Sequence, residues 1–118
     1  MVYSPHLYGP SVAIAPQFSE SGFPNNVIPF YDEYWAFLEA QTGSAVVMGE
    51  WGGKYVGQDR TWQDFFAQFL TDRRLNDNFY WDLNPNSGDT GGILLDDWST
   101  PNSDKLALLA RTEPRPTR

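Results

Sequence analysis

The sequence contains no cysteine, so disulfides, thiolate zinc sites and cysteine nucleophiles are excluded. It has one histidine, His6. Positive charge is scarce: eight Lys and Arg stand against fifteen Asp and Glu, a formal net charge of −7. Nucleic-acid partners need clustered Lys and Arg, and so do anionic membrane surfaces; the composition argues against both. No apolar run approaches the roughly 18 residues of a membrane span. No signal peptide is visible at the start. Aromatic residues are abundant instead, with five Trp, six Tyr and eight Phe among 118 residues. That exceeds what an ordinary small core needs. Sugar clefts use such rings because aromatic faces stack on pyranose C–H faces, and large buried interfaces use them too. The length suits one domain with a modest core.

The run Ala45-Val46-Val47-Met48 is too short and too β-branched for a helix of its own. It reads as a buried parallel strand ending in Gly49-Glu50-Trp51-Gly52-Gly53. A carboxylate at the mouth of a buried strand is costly unless it has partners or a task. Glu50 is therefore either an ion-paired strand-end group or a functional one, and the carboxyl ends of such strands are where α/β proteins bind ligands. Simple alternation puts Val46, Met48 and Glu50 on one side and Val47, Gly49 and Trp51 on the other.

Val2 and Tyr3 begin a strand at the first residues, broken by Pro5, Gly9 and Pro10. His6 and Tyr8 share a face of it; a lone histidine is more often structural than catalytic. Residues 11–29 form a long loop rich in Pro, Gly and Asn, a length uncommon away from binding sites. Tyr31, Tyr34, Trp35 and Leu38 predict an amphipathic helix over about 30–41, ended by Gly43. After the glycines at 52, 53 and 57, Asp59 or Thr61 can cap a second helix. Trp62, Phe65, Phe66, Phe69 and Leu70 form its apolar stripe, which reads as core. Phe79 to Leu83 predicts a third strand, with Phe79, Trp81 and Leu83 on one face. The polar loop Asn84 to Gly92 resembles a calcium loop only loosely, since Gly88 falls where a ligand should be. It lacks the Gly-Lys-Ser/Thr of a phosphate cradle. Thr100 before Pro101 predicts the start of a last helix over about 101–111, with Leu106, Leu109 and Ala110 as its apolar face. The tail, residues 113–118, is expected to be disordered. Strands alternating with helices predict an α/β fold with a parallel sheet and right-handed crossovers.

Three motifs, taken in order, resemble glycoside hydrolase family 5. They are Tyr3-Ser4-Pro5-His6-Leu7-Tyr8-Gly9-Pro10, Gly49-Glu50-Trp51-Gly52-Gly53, and Trp81-Asp82-Leu83-Asn84-Pro85-Asn86-Ser87-Gly88-Asp89-Thr90-Gly91-Gly92-Ile93-Leu94. The resemblance is to the C-terminal part of a cellulase, an endo-β-1,4-glucanase, and spans residues 1 to about 111. It implies three βα units, over residues 1–112, that are similar to strands six to eight of a (β/α)8 TIM barrel. It implies Glu50 as catalytic nucleophile, His6 and Tyr8 as the pair that orders it, and Trp81 as the floor under the sugar. Trp51, Lys54 and Tyr55 are secondary substrate-binding candidates; structural roles for Trp51 and Tyr55, and a solvated loop position for Lys54, stay open. It implies a secreted protein acting on β-1,4-glucan or cello-oligosaccharides, with no metal and no cofactor.

A barrel of this kind needs about 250 residues. Retaining hydrolysis also needs a second carboxylate about 5–5.5 Å from the nucleophile. By the resemblance, that acid/base lies on an earlier strand than any in this sequence. Another copy, another segment or nothing supplies it; Asp82 has the wrong parity, and the loop carrying Asp89, Asp96 and Asp97 can reach inward, though nothing in the spacing requires it. Three strands leave both sheet edges unpaired, so self-association or an N-terminal barrel segment is expected to complete the sheet. The alternative is a carbohydrate-binding or structural piece without catalysis.

Overall fold

The computed structural model describes residues 1–113; the remainder of the expected tail lies outside them. Three short parallel strands form one sheet in the order β1 (His6–Tyr8), β2 (Met48–Gly52), β3 (Asn78–Tyr80). Between β1 and β2, two 3-10 turns, Pro16–Ser19 and Asn25–Val27, lead into α1 (Ile28–Tyr31). A π-helical turn over Asp32–Ala36 joins α1 to α2 (Leu38–Thr42), which Gly43 closes in the left-handed conformation. Between β2 and β3 lies α3 (Gly57–Asp72), and after β3 comes α4 (Ser103–Ala110).

The helices cover one face of the sheet. Trp62, Phe66, Phe69 and Leu70 of α3 are buried against Trp35, Val46, Met48 and Trp51. Trp62 and Phe66 stack with ring centres 4.8 Å apart, and Trp51 meets Phe66 edge-on at 5.4 Å. A helix stripe that reads as core in the sequence is thus the core. The other face of the sheet is open: Phe79, Trp81 and Leu83 are 66%, 42% and 58% exposed.

Several boundaries differ from the sequence expectation. The first helix is interrupted by the π turn, and Tyr34 points outward although Trp35 is buried. A π turn carries more residues per turn, so i, i+3 spacing no longer keeps a face. The second helix starts at Gly57, ahead of both expected caps. The last helix is capped by Asn102, whose side chain accepts from the Lys105 backbone N–H at 3.2 Å. Thr100 instead joins a turn around Asp97, donating its backbone N–H to the carboxylate at 2.8 Å. The buried face of α4 carries Lys105 and Leu108, and Leu106 faces out.

The alternation expected along residues 45–51 breaks. Met48 pairs with Asn78 and Trp51 with Tyr80, so three steps on β2 match two on β3. On the other side, Tyr3 bridges Val46 whereas His6 pairs with Glu50, so four steps of β2 match three of β1. One extra residue is accommodated in β2, as in a β-bulge. Val46, Met48 and Trp51 consequently all face the helices, and Gly49 and Glu50 lie between them. Glu50 does not share its side with Val46 and Met48.

Candidate active site

The parallel register sets His6 beside Glu50, with Tyr8 two positions further along β1. Tyr3 and Leu7 pack toward the core, while Ser4 and His6 are exposed and Tyr8 is half-buried. The Tyr8 hydroxyl donates to Glu50 Oε2 at 2.7 Å. His6 Nδ1 stands 3.6 Å from Glu50 Oε1. Both carboxylate oxygens thus have a neighbour on β1, and the carboxylate remains about one-third exposed (32%). Burial first, then the bond to Glu50 and the negative charges of Glu50, Asp89 and Asp82, push the Tyr8 hydroxyl above its ordinary range. Tyr8 therefore remains a proton-bearing donor at neutral pH.

The bulge gives Glu50 its aim. Gly49 beside it has no side chain, and a Cβ there would lie 2.8 Å from His6 Nε2 and closer still to Ser4 Oγ. His6 uses that space.

Trp81 follows β3 next to β2, donating its backbone N–H to the Trp51 carbonyl at 2.8 Å. The Trp81–Asp82 peptide is cis. The loop beyond it closes on itself, with Ile93 N–H bonded to the Asp82 carbonyl at 2.8 Å and Leu94 N–H to the Leu83 carbonyl at 3.0 Å. Burial raises the Asp82 carboxyl above the usual range, opposed by Lys105 and reinforced by Asp89. Lys54 is exposed and lines a hollow of about 790 Å³ between this loop and the β2–α3 turn.

Two expected substrate contacts are corrected. Trp51 is completely buried, its indole N–H donating to Asn78 Oδ1 at 2.8 Å. Tyr55 is also buried, its hydroxyl donating to Asp64 Oδ1 at 2.5 Å under the Arg60 guanidinium. Neither ring faces the open side of the sheet. The bulge explains Trp51: the extra residue turns it back to the helices. Among the described residues, no cluster of three or more His, Asp or Glu is arranged to hold a metal, and no helix is long and apolar enough to cross a membrane.

Two charged groups beside this site are buried: Asp59, expected only as a helix cap, and Lys105, to which the sequence pattern assigns no role. Asp59 and Lys105 are 3% and 2% exposed. Charged side chains are almost never fully buried unless paired, so composition points them at solvent.

Residues 1–87 match the family described as cellulase (glycosyl hydrolase family 5). The major extracellular endoglucanase of Xanthomonas campestris pv. campestris is 43% identical over 112 residues, which is 92% of this chain and 23% of that protein. An endoglucanase of Paenibacillus polymyxa is 42% identical over 114 residues, 94% of this chain and 28% of that one. Among solved structures, a complex of an endocellulase from Pyrococcus horikoshii with cellotetraose matches with a TM-score of 0.89 at 41% identity, covering 94% of this chain and 31% of that one. The catalytic domain of the Xanthomonas enzyme matches with a TM-score of 0.88 at 41% identity, over 94% and 32%. The chain therefore spans about a quarter of these curated relatives and about a third of these solved chains. Its three strands and their helices form part of a (β/α)8 barrel.

Proposed function

Because this chain belongs to glycosyl hydrolase family 5, we propose that it carries the nucleophilic half of a retaining site for β-1,4-glucan, with Glu50 as nucleophile. The observation that carries this reading is the pairing of Glu50 with the Tyr8 hydroxyl at 2.7 Å, beside His6, at the strand ends of an open sheet face.

A Glu50 oxygen attacks the anomeric carbon as the glycosidic C–O bond breaks. The leaving oxygen takes a proton from an acid, and a glycosyl ester of Glu50 remains. Water then attacks the same carbon, giving its proton to that second group and releasing Glu50. The Tyr8 hydrogen bond holds one carboxylate oxygen so that the other can attack. Trp81 offers an exposed indole face for the sugar, and Lys54 an ammonium for a sugar hydroxyl. Another copy or another segment supplies the acid/base carboxylate; in its absence the chain binds glucan without cleaving it.

The test is Glu50→Gln, assayed for reducing ends from soluble cellulose and for cellotetraose binding. Loss of hydrolysis with binding retained supports the nucleophile. Undiminished hydrolysis by Glu50→Gln removes Glu50 from that role. Where the unaltered chain binds cellotetraose and releases no sugar, the binding reading stands alone.

A further inference from the structure

Two loops flank Glu50: the turn at residues 53–55 after β2, and the longer loop at residues 82–93 after β3. A chain of buried polar groups joins their undersides. Asp59, in the first turn of α3, accepts the Tyr55 backbone N–H at 2.9 Å and the Gln63 side-chain amide at 2.7 Å, both on Oδ2. Its Oδ1 has no hydrogen-bond partner among the described residues. Gly53 passes so close that a Cβ there would lie 2.7 Å from Oδ1. Gln63, wholly buried, accepts the Tyr80 hydroxyl at 2.6 Å. Lys105 Nζ lies 5.7 Å from the centre of the Tyr80 ring and donates to the carbonyls of Thr90 at 3.0 Å and Gly92 at 3.2 Å.

Buried charges are tolerated where they are paired or hydrogen-bonded. Burial lowers the Lys105 ammonium from its ordinary value, and the carboxylates of Asp59 and Asp82 oppose that. Asp59 is thus held from α3 by two donors and Lys105 from α4 by two carbonyls, with Gln63 and Tyr80 between them. Each also holds backbone that carries a candidate sugar contact. Asp59 holds the turn bearing Lys54. Lys105 holds residues 90–92, which continue through Ile93 and Leu94 to the carbonyls of Asp82 and Leu83, directly after Trp81.

We propose that Asp59 and Lys105 are positioning residues: through Gln63 and Tyr80 they lock the two loops into one unit and so set Lys54 and Trp81 around a glucan chain. This rests on the glucan-binding reading above for its function, but not for the coupling between the loops. A rigid supporting layer matters because displacements near 1 Å at a binding site carry large penalties.

The experiment uses Tyr80→Phe, which deletes one hydroxyl, and Lys105→Met, which keeps length and removes charge, singly and together. Amide hydrogen exchange at Tyr55 and at residues 91–94 is measured alongside cellotetraose affinity and the unfolding midpoint. Either substitution is expected to speed exchange in both loops and to weaken affinity about tenfold. The double variant is expected to fall short of the product of the two, because the groups act as one. Where Lys105→Met does not fold, Tyr80→Phe decides alone. Faster exchange confined to the residues touching the altered side chain, with affinity unchanged, overturns the proposal. If the unaltered chain binds no cellotetraose, the glucan reading fails, and exchange across the two loops alone decides whether they are coupled.

Discussion

Tyr8 and Glu50, 42 positions apart, meet through a 2.7 Å hydrogen bond between neighbouring parallel strands. Hydrogen bonds to a charged group contribute about 1.5–3 kcal/mol. Tyr8→Phe keeps the ring and removes the donor. Where the assembled site is active, kcat/KM is expected to fall roughly 10- to 100-fold, and the unfolding midpoint to fall with the loss of the bond. An unaltered kcat/KM in steady-state assay would show that this bond does not aim the carboxylate.

Gly49→Ala tests the close approach of β2 to His6. The new methyl would need the space now filled by Ser4 Oγ and His6 Nε2. Overpacking of this kind costs about 1–3 kcal/mol. Urea unfolding should show that loss, and the histidine ring resonances should shift in an NMR spectrum as His6 is displaced. A variant as stable as the parent, with an unmoved histidine, would contradict the crowding.

Phe66 stands between Trp62, Trp51 and Tyr31 and is wholly buried. Phe66→Ala is expected to cost about 3–5 kcal/mol, a large part of the roughly 5–15 kcal/mol that a whole domain commands. Chemical denaturation reads this directly. A loss under 1 kcal/mol, on the order of that for a surface substitution, would mean that the ring cluster does not hold the sheet to α3.

Stability should decline in alkali. Burial pushes the Tyr31 and Tyr55 hydroxyls up from 10.0 to about 12, opposed at Tyr31 by the Trp62 N–H and reinforced at Tyr55 by Asp64. The folded chain thus holds these protons more tightly than the unfolded chain does. Their contribution is complete below about pH 10 and is lost as pH rises through about 12. Urea midpoints across this window should fall, and Tyr31→Phe should flatten the slope. Midpoints that climb with pH would show that the folded chain does not hold these protons more tightly than the unfolded one.

The open face should drive association. Phe79 and Leu83 are 66% and 58% exposed beside a sheet whose order β1-β2-β3 leaves an outer edge on each side. Exposed apolar surface next to unpaired strands invites pairing with another chain. Light scattering at micromolar concentration should give a multiple of the single-chain mass, lowered by Phe79→Thr with Leu83→Thr. A compact single chain at those concentrations would exclude it.

The sequence by itself determined the parallel α/β plan, because α3's aromatic stripe and the short apolar runs leave few other ways to bury Trp62, Phe66 and Met48. It also pointed to Glu50, because a carboxylate at the mouth of a buried strand stands out against its neighbours; two-residue spacing set His6 and Tyr8 on one face, and it was the resemblance to the family that placed them beside Glu50. What it could not determine was how Glu50 reaches that face. Alternation groups Glu50 with Met48, yet the extra residue in β2 sends Met48 and Trp51 to the helices and leaves Gly49 and Glu50 between them. A bulge is an offset of one strand's register against its neighbours, here β1 and β3, which are distant in sequence. The burial of Lys105 and Asp59 was likewise decided only in three dimensions. A charged side chain is driven inside by partners distant in sequence, here the carbonyls of Thr90 and Gly92, the Tyr55 amide and Gln63, and those partners exist only once the loops have closed.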